Sequence, residues 1–493
     1  MEQLVVTTLT EWFPATNSWL SRWLLERALG AIYAIGFLVA AQQWPALLGE
    51  RGLLPTPRFL EAVPWRMAPS LFHLRYSDRL FIILAWIGFA LAVALVLGLP
   101  QSGPVWLPML TWFAIWALYL SIVNVGQVFY GFGWETLLLE AGFLAIFLGS
   151  AELAPPTAIM WLFRWLLFRV EFGAGLIKLR GDPCWRDYTC LYYHHETQPL
   201  PNPLSWYFHR LPKPIHRLEV VGNHIGQLVV PFGLFAPQPV AGVAGLALIV
   251  HQAWLILSGN FSWLNVLTLT LAFAAFDDHQ LRRLLPVEHA ALAPPPAWYV
   301  GLVLGVTLVL VVLSYWPARN LLSRYQVMNA SFDPLHLVNT YGAFGSITRE
   351  RYEIILEGTD EPEPTVSTVW RAYEFKAKPG DPRRRPPQVA PYHLRLDWLM
   401  WFAAMATPRE HPWLIALVVK LLSNDQPTLR LLGRNPFPTA PPTYIRADLY
   451  HYRFTTWRAR RETGSWWVRT LVGAYLPPVC LAAPDSSSEL TLR

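Results

Sequence analysis

Between Leu80 and Leu99 the chain runs for twenty residues without a charged side chain, and apolar stretches of similar length recur at Val105–Val123, Ala158–Leu179 and Trp298–Tyr315. About 20 residues of helix cross the hydrocarbon core of a bilayer, where a backbone without water must close its hydrogen bonds internally. Such runs therefore read as membrane-crossing helices. The composition agrees: 54% of residues are hydrophobic, 15% are charged and the mean hydropathy is +0.30, a combination foreign to water-soluble domains. Three further stretches are weaker. Ala28–Leu47 is interrupted by Gln42 and Gln43, Glu135–Leu153 contains Glu140, and Val220–Phe276 has room for two or three spans around His224 and His251. The expected architecture over residues 1–318 is an α-helical polytopic membrane domain of about eight spans. The first apolar segment begins too far from the start, behind Glu2 and Glu11, to resemble a cleaved signal peptide, so it is expected to remain as an anchor.

After Tyr315 the texture changes. RYQVM, ERYEIILEGT, TVWRAYEFKAKPG, YIRADLYHYRFT and GSWWVR set β-branched and aromatic residues between Gly, Pro and Asp turns, as short strands do. A helical stretch, Leu396–Ala406 and then Trp413–Leu422, interrupts them. Residues 319–478 are thus expected to form a soluble, β-rich, sandwich-like domain, followed by a disordered tail at 479–493. Nearly all of the formal charge of +6 falls after residue 318. Acids and aromatics are interspersed with those basic residues, so no continuous basic stripe forms and nucleic acid is not an expected partner. Five basic residues in loop 48–79 and five in loop 179–219 would, by simple counting, hold both loops in the cytoplasm.

The functional signal begins where an apolar helix acquires charge. Arg164, Glu171 and Lys178 stand seven apart, close to one helical face, and lead into the polar insert of about 178–219, which opens with KLRGDPCWRDYTCLYYHHETQPLPNP. Each such residue costs about 2.5–3.5 kcal/mol at the bilayer centre by insertion scales, so it marks a site unless it pairs or snorkels. Lys178, at a helix end, is a candidate buried base or nucleophile, and Gly173 and Gly175 permit the close helix packing that would bury it. Glu135 or Glu140 could pair with Arg164 or Lys178. His194, His195 and Glu196, beside Asp182 and Asp187, could supply acid–base groups or simply hydrogen-bond the irregular backbone of an interfacial loop. Cys184, Cys190, His194 and His195 are zinc-ligand types, but C-x5-C followed by adjacent histidines matches no common zinc pattern, and no metal or other cofactor is expected. Cys184 and Cys190 are close enough in sequence to bridge, which would imply an oxidising compartment. Cys480 reads as a lone thiol.

Six motifs occur in order over most of the chain: NVGQVFYGFGWETLLLEAGFL from Asn124, KLRGDPCWRDYTCLYYHHETQPLPNPLSWYFH from Lys178, NTYGAFGSITRERYEIILEGT from Asn339, PYHLRLDWLMWFAA from Pro391, NPFP from Asn435 and YIRADLYHYRF from Tyr444. Together they resemble the lipase maturation factor family. The resemblance implies a multi-pass membrane protein of chaperone-like role that helps secretory lipases reach their folded, active form. Its partners would be membrane lipid and exported client proteins such as lipases. Its place would be the endoplasmic reticulum membrane or, in a bacterium, the inner membrane with the C-terminal domain in the periplasm. On this likeness, client-binding or fold-holding residues are Arg180, Asp182, Trp185, Arg186, Gln198 and Pro199 in the insert, and Asn339, Tyr341, Arg395, Asp397 and Trp398 in the C-terminal region. A more distant likeness supplies an alternative. GAGLIKLRGDPCW resembles the segment carrying the catalytic lysine of vitamin K-dependent γ-carboxylase and related horizontally transferred transmembrane proteins, which implies Lys178 as a buried base acting on a quinol-like or other lipid-soluble substrate. That pattern's histidine following an Asn has no counterpart at Asn124, where this chain reads NVGQ.

Overall fold

The computed structural model describes residues 13–289 and 291–482. In chain order the membrane region comprises α1 (Trp19–Leu47), α2 (Asp78–Leu97), α3 (Trp106–Val125), α4 (Gly133–Ala145), α5 (Thr157–Arg180), α6 (Leu191–Thr197), α7 (Lys213–Leu228), α8 (Val240–Ser258), α9 (Leu264–Ala272) and α10 (Ala297–Leu313). Among the described residues, six stretches are long and apolar enough to cross a membrane: α1, α2, α3, α8, α7 extended to Phe235 and α10 extended to Leu322. Ile83 and Ile87 on α2, Val243 and Val250 on α8, and Leu308 and Val312 on α10 all face outward. An apolar belt of this kind is stable only against lipid chains. The protein is a multi-pass membrane protein.

Local chemistry sets the helix ends. The Ser77 hydroxyl accepts the Leu80 N–H at the start of α2, and Gly98, at φ +79°, closes its last turn in the left-handed conformation that glycine adopts without strain. Asp278 accepts the backbone N–H groups of Trp19 and Leu20 at 3.2 and 2.8 Å, placing a carboxylate on the unpaired donors that open α1. Gly88 of α2 lies against the Phe37 ring and Gly142 of α4 against Tyr33, positions where a Cβ would overlap the aromatic atoms. Both helices thereby close tightly on α1. α5 has 24 residues, enough to cross, but carries Arg164, Arg169, Glu171, Lys178 and Arg180. α4 stops after 13 residues, too few to span. The stretch Glu135–Leu153 is therefore not a crossing helix, because Glu135 and Glu140 are drawn inward to partners within the protein.

The C-terminal region contains β1 (Arg351–Thr359), β2 (Arg371–Ala372), β3 (Glu374–Phe375), α11 (Arg395–Ala403), α12 (Pro412–Leu422), β4 (Leu432–Arg434), β5 (Tyr444–Phe454) and β6 (Trp467–Val479). Its main sheet is antiparallel in the order β2-β1-β5-β6, with Ile354 opposite Leu449 and Phe454 opposite Trp467. β3 and β4 form a separate ribbon. α11 packs on β1 and α12 on β5, so the layer over the sheet is helical. RYQVM is loop rather than strand. The Asn320 side chain donates to the Val327 carbonyl and accepts its N–H, both at 2.9 Å, and these local bonds occupy groups a ladder would need. Of the expected tail, Val479 ends β6 and residues from 483 onward lie outside those described.

One hydrophobic core runs through both regions. Trp134 meets Trp398 edge-on at 5.1 Å, and Phe129 meets Trp413 at 6.1 Å. Arg395 and Glu135, both fully buried, pair at 2.8 Å. Glu140 receives Arg169, the Asn339 backbone N–H and side-chain amide, each at 3.0 Å, and the Tyr341 hydroxyl at 2.7 Å. Neither glutamate pairs with Arg164 or Lys178. Arg395→Ala leaves the Glu135 charge buried without its cation, a change that costs about 3–5 kcal/mol. It is expected to lower the melting temperature of the detergent-purified protein, and Arg395→Met combined with Glu135→Leu is expected to recover most of the loss. An Arg395→Ala protein that melts with the wild type would contradict this reading.

Candidate functional site

Lys178 lies on the last turn of α5, and close helix packing buries it. Gly175, three residues earlier, leaves room for Leu228 of α7. α7 then presents Asn223 and Gln227, four apart and so on one face. The Lys178 ammonium donates to Asn223 Oδ1 at 2.9 Å and to Gln227 Oε1 at 2.8 Å. It also stands 4.8 Å from the centre of the Trp185 ring, a favourable cation–π placement. Polar contacts continue inward. Asn223 Nδ2 lies 3.0 Å from His251 Nε2, His251 Nδ1 lies 3.8 Å from Glu171, and Gln252 donates to Glu171 at 2.6 Å while accepting from Asn265 at 2.9 Å.

These groups border a cavity of about 500 Å³ between α5, α6, α7, α8 and the C-terminal region. Phe132, Trp134, Phe261, Phe344 and Trp398 supply apolar and aromatic wall, and Lys178, Glu171 and His195 supply polar atoms. A concave, largely apolar space with a few convergent polar groups is what a ligand pocket requires.

The structure divides the residues named from sequence. Lys178, Trp185, His194, His195, Pro199, Tyr341 and Trp398 border the cavity together. Arg164 does not join Glu171 and Lys178. Its guanidinium donates to the Ala274 and Leu234 carbonyls at 2.8 and 3.2 Å. Asp182 caps the Cys184 N–H at 3.0 Å and takes Arg349 at 2.8 Å, while Asp187 is exposed. Glu196 turns to the sheet, accepting the Phe454 N–H at 2.5 Å. Arg180 binds Gln326 at 2.7 Å and the Leu321 carbonyl at 2.8 Å, and Arg186 binds the Leu179 carbonyl at 3.0 Å. Gln198 braces Ser205 and the Ser258 carbonyl, each at 2.9 Å. Asp397 accepts the Ala377 and Lys378 N–H groups at 2.6 and 3.0 Å. A disulfide joins Cys184 to Cys190, their Cα atoms 4.8 Å apart. Asn124, at the position compared with the carboxylase pattern, bonds the Pro69 and Pro334 carbonyls at 2.9 and 3.0 Å and His336 at 2.8 Å, a joint between loops.

The residues that sequence reasoning missed come mostly from α7. Asn223 and Gln227 hold Lys178, and His216 and Glu219 stand beside His195 with all three ligand atoms within 4.8 Å of one another. The available signal was their spacing at three, four and seven residues along one helix.

Two models match the sequence, the lipase maturation factor transmembrane domain over residues 20–283 and the lipase maturation factor C-terminal domain over residues 337–477. Lipase maturation factor 1 of Bos taurus is 44% identical over 517 residues, which cover 97% of this chain and 92% of that protein. The chain belongs to the lipase maturation factor family. Lipase maturation factor 1 of Homo sapiens is 43% identical, with 94% of this chain and 88% of that protein covered. Lipase maturation factor 2 of Homo sapiens is 28% identical, with 96% and 84% covered. No solved structure matches. Both family segments contribute to the cavity, the first through Lys178 and His195 and the second through Tyr341 and Trp398.

Burial governs the imidazoles of the insert. His194 packs 4.9 Å from Phe344 and 6.1 Å from Phe261, and burial, helped by the Lys178 charge, pushes its pKa down to about 3. Burial likewise lowers His195 and raises Glu196. An unfolded imidazole titrates near 6.5. Between pH 6.5 and 3 the unfolded state therefore binds the proton that folded His194 refuses, and stability falls as pH falls. The loss is about 1.4 kcal/mol per pH unit in that window. Melting curves at pH 7.5 and 5.0 are expected to show a smaller acid-induced drop for His194→Phe than for the wild type, and equal drops would contradict the assignment.

Proposed function

We propose that this protein is a membrane-embedded maturation factor for exported proteins, lipases foremost among its clients. The observation that carries the reading is the 44% identity with Lipase maturation factor 1 across 97% of this chain, which includes both the membrane helices and the C-terminal region. A maturation factor must hold apolar surface that a folding intermediate exposes. A broad, rigid platform suits that task, and the shared core makes the insert, the cavity rim and the C-terminal region one such body. No observation favours a buried-base role for Lys178 over its holding role between Asn223 and Gln227.

Packing supports one orientation. The insert and the C-terminal region touch through Arg349 and Asp182 at 2.8 Å and through Trp206, which donates to the Thr455 carbonyl at 3.0 Å, so they occupy one membrane face. Between them lie three of the six candidate spans and the shorter apolar helix Leu264–Ala275. A shared face calls for an even number of crossings between the insert and the C-terminal region. A Cys184–Cys190 disulfide belongs in an oxidising compartment. We therefore place the insert and the C-terminal region outside the cytoplasm, in the lumen of the endoplasmic reticulum or in the periplasm.

The test is secretion of a client lipase from cells with no copy, the wild type, or Lys178→Ala expressed at equal level. Without the protein, lipase mass is expected to remain inside the cell and its activity per molecule to collapse, while Lys178→Ala restores most secretion because a platform does not depend on one amine. Unchanged lipase activity in the deletion would overturn the proposal, and a Lys178→Ala protein that folds normally yet behaves as the deletion would favour an enzyme.

A further inference from the structure

We propose that His195, His216 and Glu219 form a binding site for a zinc-class divalent cation, open on its fourth side to the cavity. The site is independent of the maturation-factor reading. His216 and Glu219 stand three apart on one face of α7, and His216 Nδ1 lies 2.9 Å from Glu219 Oε2. His195 approaches from α6, its Nε2 4.0 Å from the same oxygen. Tetrahedral zinc with bonds of about 2.1 Å holds its ligand atoms about 3.4 Å apart. The two distances to Glu219 fall on either side of that value and the three ligand atoms lie within 4.8 Å of one another, so the triad closes by drawing the His195 ring toward His216 and Glu219.

Three observations point to a ligand rather than to a plain hydrogen-bonded cluster. Both ring nitrogens of His195 are buried without a partner, on a residue only 3% exposed, and at 4.0 Å the carboxylate is too far to serve as one. Native proteins seldom leave such atoms unmet, and a cation would engage Nε2 directly. Trp254 Nε1 donates to Glu219 Oε1 at 3.0 Å, the outer hydrogen bond that orients a metal-ligating carboxylate. His195 and Glu219 also border the cavity, so a fourth position is available to water or to an anionic group of the cavity's occupant. Two imidazoles and one carboxylate suit zinc, whereas magnesium and calcium favour sets built from oxygen. The grouping differs from the one adjacency in sequence suggests. Cys184 and Cys190 are bonded to each other, and His194 packs against Phe344.

The test uses full-length, tag-free protein in detergent, in a Cys480→Ser background that removes a competing thiol. Zn2+ is titrated against a chelator of moderate affinity, and Co2+ absorption reports coordination geometry. The proposal expects one equivalent per chain, a tetrahedral Co2+ spectrum, and loss of binding in His216→Ala and Glu219→Gln but not in His279→Gln. Trp254→Phe, which leaves every ligand in place, is expected to weaken binding about tenfold and keeps the test decisive if a ligand variant fails to fold. A wild type that retains no zinc would overturn the proposal, as would full zinc retention in Glu219→Gln or unchanged affinity in Trp254→Phe.

Discussion

Glu135 and Glu140 stand on one short helix inside the membrane region with no water to solvate them, so each must find its counter-charge or donors within the protein. Glu135 finds its counter-charge beyond residue 338, and Glu140, paired with Arg169 of α5, finds its further donors there. Glu135 takes Arg395, whose guanidinium also donates to the Phe129 carbonyl at 2.6 Å and stacks 3.4 Å from the Tyr130 ring. Glu140 takes the Asn339 backbone and side chain and the Tyr341 hydroxyl. The C-terminal region is thereby bound to the membrane helices by groups that cannot separate without stranding charge. α4 stays short and buried for the same reason. The cavity depends on this seam, since Tyr341 and Trp398 complete a wall begun by α5 and α8.

The insert is held from both sides. Arg351 reaches the Gln198 and Pro199 carbonyls at 2.5 and 3.0 Å, and Trp206 packs under Trp457 and Trp466. A Pro-rich irregular segment has many backbone groups without a helical or sheet partner, and here arginine and tryptophan side chains of the C-terminal region satisfy several of them. That arrangement explains why so many polar side chains of the insert do structural work, Asp182 and Gln198 among them, while Lys178 and His195 face the cavity.

Much of the fold was legible because lipid and water impose opposite patterns. Charge-free runs such as Leu80–Leu99 could only become crossing helices, and β1 and β5 announced themselves by β-branched and aromatic alternation. α4 misled because hydropathy counts the residues flanking a carboxylate and not the partner it will find, here more than 200 residues away for Arg395. The Arg164, Glu171, Lys178 series shared a face but not a place. Fourteen residues of helix span about 21 Å, which puts Arg164 beside Leu234 and Ala274 while its fellows reach the cavity. Lys178 stood out as a charge at an apolar helix end, but Asn223 and Gln227 are unremarkable in sequence and lie 45 and 49 residues away. His216 and Glu219 escaped notice because ligand spacing was sought among neighbours of Cys184, whereas the fold brings a second helix to His195.

In the proposed orientation the insert and the C-terminal region form one body on the non-cytoplasmic face. Arg186 and Arg458 are both exposed, one in each region, and single Arg186→Cys and Arg458→Cys variants in a Cys480→Ser background report their sides directly. With an impermeant thiol reagent applied to sealed vesicles of known orientation, both cysteines should be labelled from the lumenal or periplasmic side and protected from the cytoplasmic one. Labelling of the two from opposite sides would contradict the shared body, and labelling of both from the cytoplasm would contradict the orientation.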